Sequence, residues 1–132
     1  MQSPDDATPG SFCWLDLAAS DAGAAMNFYA AAFGWQFGTV QANGGSFTRC
    51  VAGARDVASL YPLRRSQLER GVPSHWTPYV RVDDIDAVTS RVAALGGRVL
   101  VQPFDVERTA RISLIEDSVG ALLGLRQPLR QR

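Results

Sequence analysis

The sequence holds a single histidine, His75, and only two cysteines, Cys13 and Cys50, in 132 residues. The cysteines lie in separate strand-like runs with no C-x-x-C spacing, which excludes a zinc ribbon or dithiol redox motif and predicts two reduced, buried small apolar residues. Neither sign of charge is in excess, since thirteen basic residues meet thirteen acidic ones. A balanced chain has no cationic surplus for a phosphate backbone or an anionic membrane surface, so nucleic acid and membrane are not expected partners. No apolar run approaches the roughly 18–20 residues of a spanning helix. Residues 1–10 hold two acids, two prolines and no basic or apolar signal region, so they are expected to form a flexible, non-secretory tail, and the location is expected to be cytoplasmic. No nucleophile triad, phosphate loop or dinucleotide fingerprint occurs.

What is present is one pattern written twice. Residues 14–34 and 77–97 coincide when shifted by 63 positions, with Leu17 on Val80, Ala19 on Val82, Asp21 on Asp84, Ala25 on Val88, Tyr29 on Val92, Ala32 on Leu95 and Gly34 on Gly97. Each copy reads as a strand, a helix-capping Asp, a helix and a terminating Gly. Phe12 to Ala19 alternates as a strand, with Cys13, Leu15, Leu17 and Ala19 on one face and Trp14, Asp16 and Ala18 on the other. Ala25, Phe28, Tyr29 and Ala32 form the expected apolar stripe of the first helix. Strands are predicted at 35–41, 46–51 and 56–61, with a hairpin turn at Asn43-Gly44-Gly45. Residues 62–73 read as a linker with one short helical turn at 66–69, its arginines on a solvated face. The second copy predicts strands at 76–82, 98–102, 110–115 and 121–127, a loop over 104–109, and a helix striped by Ile85, Val88, Val92 and Leu95. A proline inside the 76–82 strand predicts one unpaired side near Pro78.

The expected fold class is therefore α+β: two tandem βαβββ modules, 11–61 and 74–127, forming a curved eight-stranded mixed sheet with helices on the convex face and a short tail at 128–132. Apolar strand faces (Leu15, Leu17, Val80, Val82) would pack on the helices, and alternate faces would line a concave cup.

The run Trp14-Leu-Asp-Leu…Ser20-Asp21…Phe28-Tyr29…Phe33-Gly34-Trp35, with Tyr79-Val-Arg-Val-Asp-Asp84-Ile-Asp-Ala…Leu95-Gly96-Gly97, Pro103…Asp105-Val106, Arg111 and Asp117-Ser-Val-Gly120-Ala121, resembles the vicinal oxygen chelate superfamily of glyoxalases, bleomycin-resistance proteins and extradiol dioxygenases. The resemblance covers about residues 12–127 and implies homodimers. It also implies metal ligands on the first and last strand of each half, at Trp14, Ser59, Thr77 and Gly124. Those residue types cannot hold a divalent ion, which needs imidazole, carboxylate or thiolate. His75, two residues before Thr77, reads as a strand-start or rim residue rather than a shifted ligand. No metal and no cofactor are expected, and the departure removes the electrophile of the family's isomerase and dioxygenase chemistry.

The expected ligand pocket comprises Trp14, Asp16, Phe47, Ser59, Tyr61, Thr77, Tyr79, Arg81 and Gly124, mostly apolar with a few polar groups. Asp16 is the weak catalytic candidate, as a general base of raised pKa, against a structural pairing with Arg81 or Tyr79. Asp105 and Glu107 read as a solvated loop, and Arg111 as either an anion contact or a salt bridge. The expected function is binding of a small, partly apolar molecule. The alternatives are a lyase, isomerase or dioxygenase-type enzyme, an antibiotic-sequestering protein, and a structural part of an assembly. Whether the chain is an enzyme stays open at this level.

Overall fold

The computed structural model describes residues 7–42, 45–106 and 109–129. The expected Asn43-Gly44 turn, Glu107 and the outer tail residues lie outside them. The fold is α+β, in two βαβββ modules. The first comprises β1 (Phe12–Ala19), α1 (Ala22–Phe33), β2 (Gln36–Ala42), β3 (Gly45–Ala52) and β4 (Arg55–Pro62). A short α2 (Arg65–Glu69) follows, then β5 (His75–Arg81), α3 (Ile85–Val92), β6 (Arg98–Val106), β7 (Ala110–Glu116) and β8 (Leu122–Pro128). The chain packs as two compact units, one of residues 15–77 and the other of the residues on either side of it.

Local chemistry explains why the helices start where they do. Asp21 is extended and accepts from Ala24 N at 3.0 Å, and Asp84 accepts from Ala87 N at 3.1 Å. A carboxylate there satisfies a free N–H and opposes the positive end of the helix dipole. Gly34 stops α1 at φ 75°, a conformation that a β-carbon disfavours, and its N–H returns to Ala30 O. The two helix ends differ. The regular part of α3 stops at Val92, and the chain makes a further turn before Gly97 N bonds Val92 O at 2.9 Å.

In the 15–77 unit the strands run β2-β3-β4-β1, with β1 parallel to β4 and the other pairs antiparallel. Its core joins Leu17, Ala19, Cys50, Ala58 and Leu60, covered by Met26, Tyr29, Trp35 and Trp76. Tyr29 stacks on Trp35 at 5.1 Å and accepts the Trp76 indole N–H at 3.2 Å. The other unit runs β5-β8-β7-β6, with β5 parallel to β8. Its core joins Ile85, Val92, Ile115 and Leu125, with Val80, Val82 and Val88 against it. Full burial of a side chain such as Leu60 or Ile85 contributes about 1.5–3 kcal/mol.

Four expectations are corrected. Leu15 is 45% exposed, so only Leu17 and Ala19 of its strand face reach the core. Phe28 lies outside the α1 stripe, because the turn of the helix that brings Ala22, Ala25, Met26 and Tyr29 inward swings it about 100° away. Leu95 is exposed because it sits on the turn after α3 has ended. Finally, β6 continues through Phe104 to Val106, where a loop was expected. The ladder shifts register between Val101 and Phe104, and that irregularity accommodates Pro103, which has no N–H to give. By contrast, β5 meets β8 from Tyr79 onward, just past Pro78, as a strand proline requires. Of the two cysteines, neither in a disulfide, Cys50 is buried and Cys13 half-buried.

Candidate functional site

The 15–77 unit brings several of the expected pocket residues onto one sheet face. Asp16 on β1 stands opposite Ser59 on β4, and Ala18 stands opposite Tyr61. Alternation puts these on the face away from Ala58 and Leu60, which are 1% exposed and belong to the core. Phe47, half-buried, shares that face on β3, opposite Val40. Asp16 is itself buried, at 9% exposure.

The Asp16 charge is felt by its neighbours. Burial, and then the Asp16 carboxylate, push the Tyr61 phenol up to about 12, while Arg64 pulls it down. Burial and Asp16 likewise push the Cys50 thiol up to about 11. Tyr61 is therefore a protonated donor throughout the neutral range. A buried carboxylate, a hydroxyl and a phenol O–H on one face can orient a small ligand, with the rings of Tyr61 and Phe47 as apolar wall.

Thr77 ends the same unit, 2% exposed and covered by protein atoms. His75 is tethered locally: its Nδ1–H donates to Pro73 O at 2.9 Å, which leaves Nε2 as the acceptor of the neutral ring.

The other unit holds the remaining four. Tyr79 is 3% exposed and stands opposite Gly124. A β-carbon on Gly124 would lie 2.5 Å from Tyr79 Cε2, so the ring covers the glycine. Arg81 is half-buried; its Nη1 donates to Ala7 O at 2.8 Å and its Nη2 to Asp83 at 3.3 Å. Its backbone also bonds Gly10 N and Ser11 O, which ties residues 7–11 to β5. Trp14 is half-buried near the start of β1.

The four positions where the resemblance implies metal ligands do not fit a divalent ion. Gly124 offers no donor and lies under a ring, and Ser59 and Thr77 are neutral hydroxyls. Among the described residues no three His, Cys, Asp or Glu side chains gather as a metal-holding group.

Outside this face, Arg111 forms a salt bridge. Its Nε and Nη2 meet the two Asp86 oxygens at 3.2 and 3.0 Å, and Nη1 meets Asp105 at 3.1 Å, joining α3, β6 and β7. Asp117 organises the β7–β8 turn by accepting from Ala121 N and Val119 N, which holds its carboxyl below the usual range. Arg49, opposite Ser59, was missed in the sequence. Its period-two spacing from Phe47 was visible, but its register against β4 was not.

The comparisons agree with this architecture. The model of the Glyoxalase/Bleomycin resistance protein/Dioxygenase superfamily matches residues 11–125. The chain is 37% identical over 119 residues to CFP32 of Mycobacterium tuberculosis, whose name provisionally calls it a glyoxylase; the match covers 89% of this chain and 45% of that protein. It is 33% identical over 124 residues to the anthracycline biosynthesis protein DnrV of Streptomyces peucetius, covering 86% of this chain and again 45% of the relative. The chain thus spans under half the length of these relatives. Among solved structures, the methylmalonyl-CoA epimerase of Mycobacterium tuberculosis superposes with a TM-score of 0.65 at 20% identity, over 94% of this chain and 93% of that one, a likeness of fold. On the doubled βαβββ order, the two capping aspartates and the match across nearly the whole described chain, this protein belongs to the Glyoxalase/Bleomycin resistance protein/Dioxygenase superfamily.

Proposed function

We propose that the chain binds a small, partly apolar molecule on the face carrying Asp16, Ser59 and Tyr61, without a resident divalent ion, as a cytoplasmic homodimer. The gathering of Asp16, Ser59 and Tyr61 on one sheet face beside the half-buried Phe47 ring carries this reading, since a few polar groups set against apolar wall are what a small-molecule site needs. The ill-fitting donor set at Trp14, Ser59, Thr77 and Gly124 supports the metal-free part. In keeping with a location in solution, no helix among the described residues is long and apolar enough to cross a membrane.

The test uses the purified chain. Elemental analysis for zinc, iron, nickel and manganese is expected to find none at stoichiometric level, and one equivalent of any would refute the metal-free claim. A thermal-shift panel of neutral aromatics is expected to raise the Tm of the parent but less so of Asp16→Asn. No shift in the parent, or equal shifts in both, would reject the assigned face. A rise with bleomycin alone would favour sequestration instead.

A catalytic reading is favoured by one observation: the Asp16 charge reaches both Tyr61 and Cys50, so it acts in a poorly screened setting. In that reading Asp16 accepts a proton from the bound molecule in a lyase or isomerase step. Unchanged turnover in Asp16→Asn, once a substrate is found, would end it.

A further inference from the structure

Four residues of the 15–77 unit form one row across its strands. Asp16 on β1 faces Ser59 on β4, Ser59 faces Arg49 on β3, and Arg49 faces Gly38 on β2. Directly opposed residues share a sheet face, and Ala58 and Leu60 on either side of Ser59 point into the core. The whole row therefore lies on the face proposed for the ligand. It is electrically polar, with a buried carboxylate on β1 and a guanidinium on β3 whose side chain is 48% exposed. Strands lie about 4.8 Å apart, so two intervals put roughly 10 Å between those backbone positions.

The guanidinium also has a prepared seat. A β-carbon on Gly38 would come within 3.2 Å of Arg49 Nη2, so the absence of a side chain there lets the fork lie flat along the sheet. Its ion partner Asp56 stands at 3.6 Å, beyond hydrogen-bond length, and is itself 45% exposed. A guanidinium in contact at that range retains donors for a second oxygen anion. Ser59 lies midway, and Tyr61 and Phe47, each two residues along its strand, supply apolar wall.

Resting on the binding reading above, we propose that the ligand of this face is a small organic acid: Arg49 holds its anionic oxygen group, and Asp16 takes a hydrogen-bond donor at its other end. The polarity of the row sets the orientation, since an anion placed beside Asp16 would be repelled.

The test titrates the full chain with para-hydroxyphenylpropionate and with its uncharged amide, followed by backbone NMR shifts. The acid is expected to bind about tenfold or more tightly than the amide, the scale of a charge-assisted hydrogen bond. Arg49→Gln is expected to abolish that preference, Arg49→Lys to restore part of it, and Asp16→Asn to weaken acid and amide alike. Arg49 is exposed, so these variants are expected to fold, and their melting curves check it. Equal binding of acid and amide, or a preference that survives Arg49→Gln, would overturn the inference while leaving a binding face. Binding of neither compound by the parent would overturn both.

Discussion

The Tyr79 ring occupies the space that a side chain on Gly124 would need, with Tyr79 Cγ 2.7 Å from the position of a β-carbon there. The two residues face each other in the parallel β5–β8 pair, so the ladder holds their backbones at this spacing and a new β-carbon can be relieved only by a shift of the buried ring. Gly124→Ala is expected to destabilise by about 1–3 kcal/mol, the cost of overpacking. Tyr79→Ala leaves a cavity and is expected to cost about 3–5 kcal/mol. The double variant is expected to lose less than the sum, because the small residue vacates the contested space. Denaturant melts of the four proteins form the cycle, and strict additivity would contradict the contact.

Both helix starts hang on one carboxylate. Asp21→Ala and Asp84→Ala are each expected to cost about 1 kcal/mol, whereas the Asn variants, which keep an acceptor oxygen, lose much less. Equal losses for Ala and Asn would point to charge rather than capping geometry as the origin.

Tyr61 offers a pH test with a definite sign. Its phenol loses its proton near 12 in the folded chain and near 10 when unfolded. Across that window the unfolded chain releases the proton first, so the unfolded state gains and stability falls as pH rises. Ultraviolet titration of tyrosinate is expected to show Tyr61 ionising near pH 12, and Asp16→Asn is expected to move it toward 10. A Tyr61 titration unmoved by that substitution would show that burial alone accounts for the shift.

The two thiols are expected to separate by reactivity. Cys50 is buried, with its pKa raised to about 11, whereas Cys13 is half-buried. At pH 8 a thiol reagent is expected to modify Cys13 first and to leave Cys50 intact until denaturant is added, since only the exposed thiolate reacts. Mass spectrometry of the modified peptides reads the order directly.

The amino-acid sequence alone determined the doubled βαβββ order, both capping aspartates, the glycine that ends α1, and the short helical turn between the modules. These are local events, decided by a few neighbouring residues and by periods of two or 3.6, so they can be read along the chain. Tertiary structure alone decided that Phe28 and Leu95 lie outside the core, that Tyr79 covers Gly124, that β6 runs on past Pro103, and that Asp16, Ser59, Arg49 and Gly38 share one row. Phe28 and Leu95 depend on how each helix is turned against its sheet and where it ends, and the others on the register between strands distant in sequence. Register is set by the packing of whole faces and by bulges such as the one between Cys50 and Val51, and a shift of one residue exchanges the two faces of a strand.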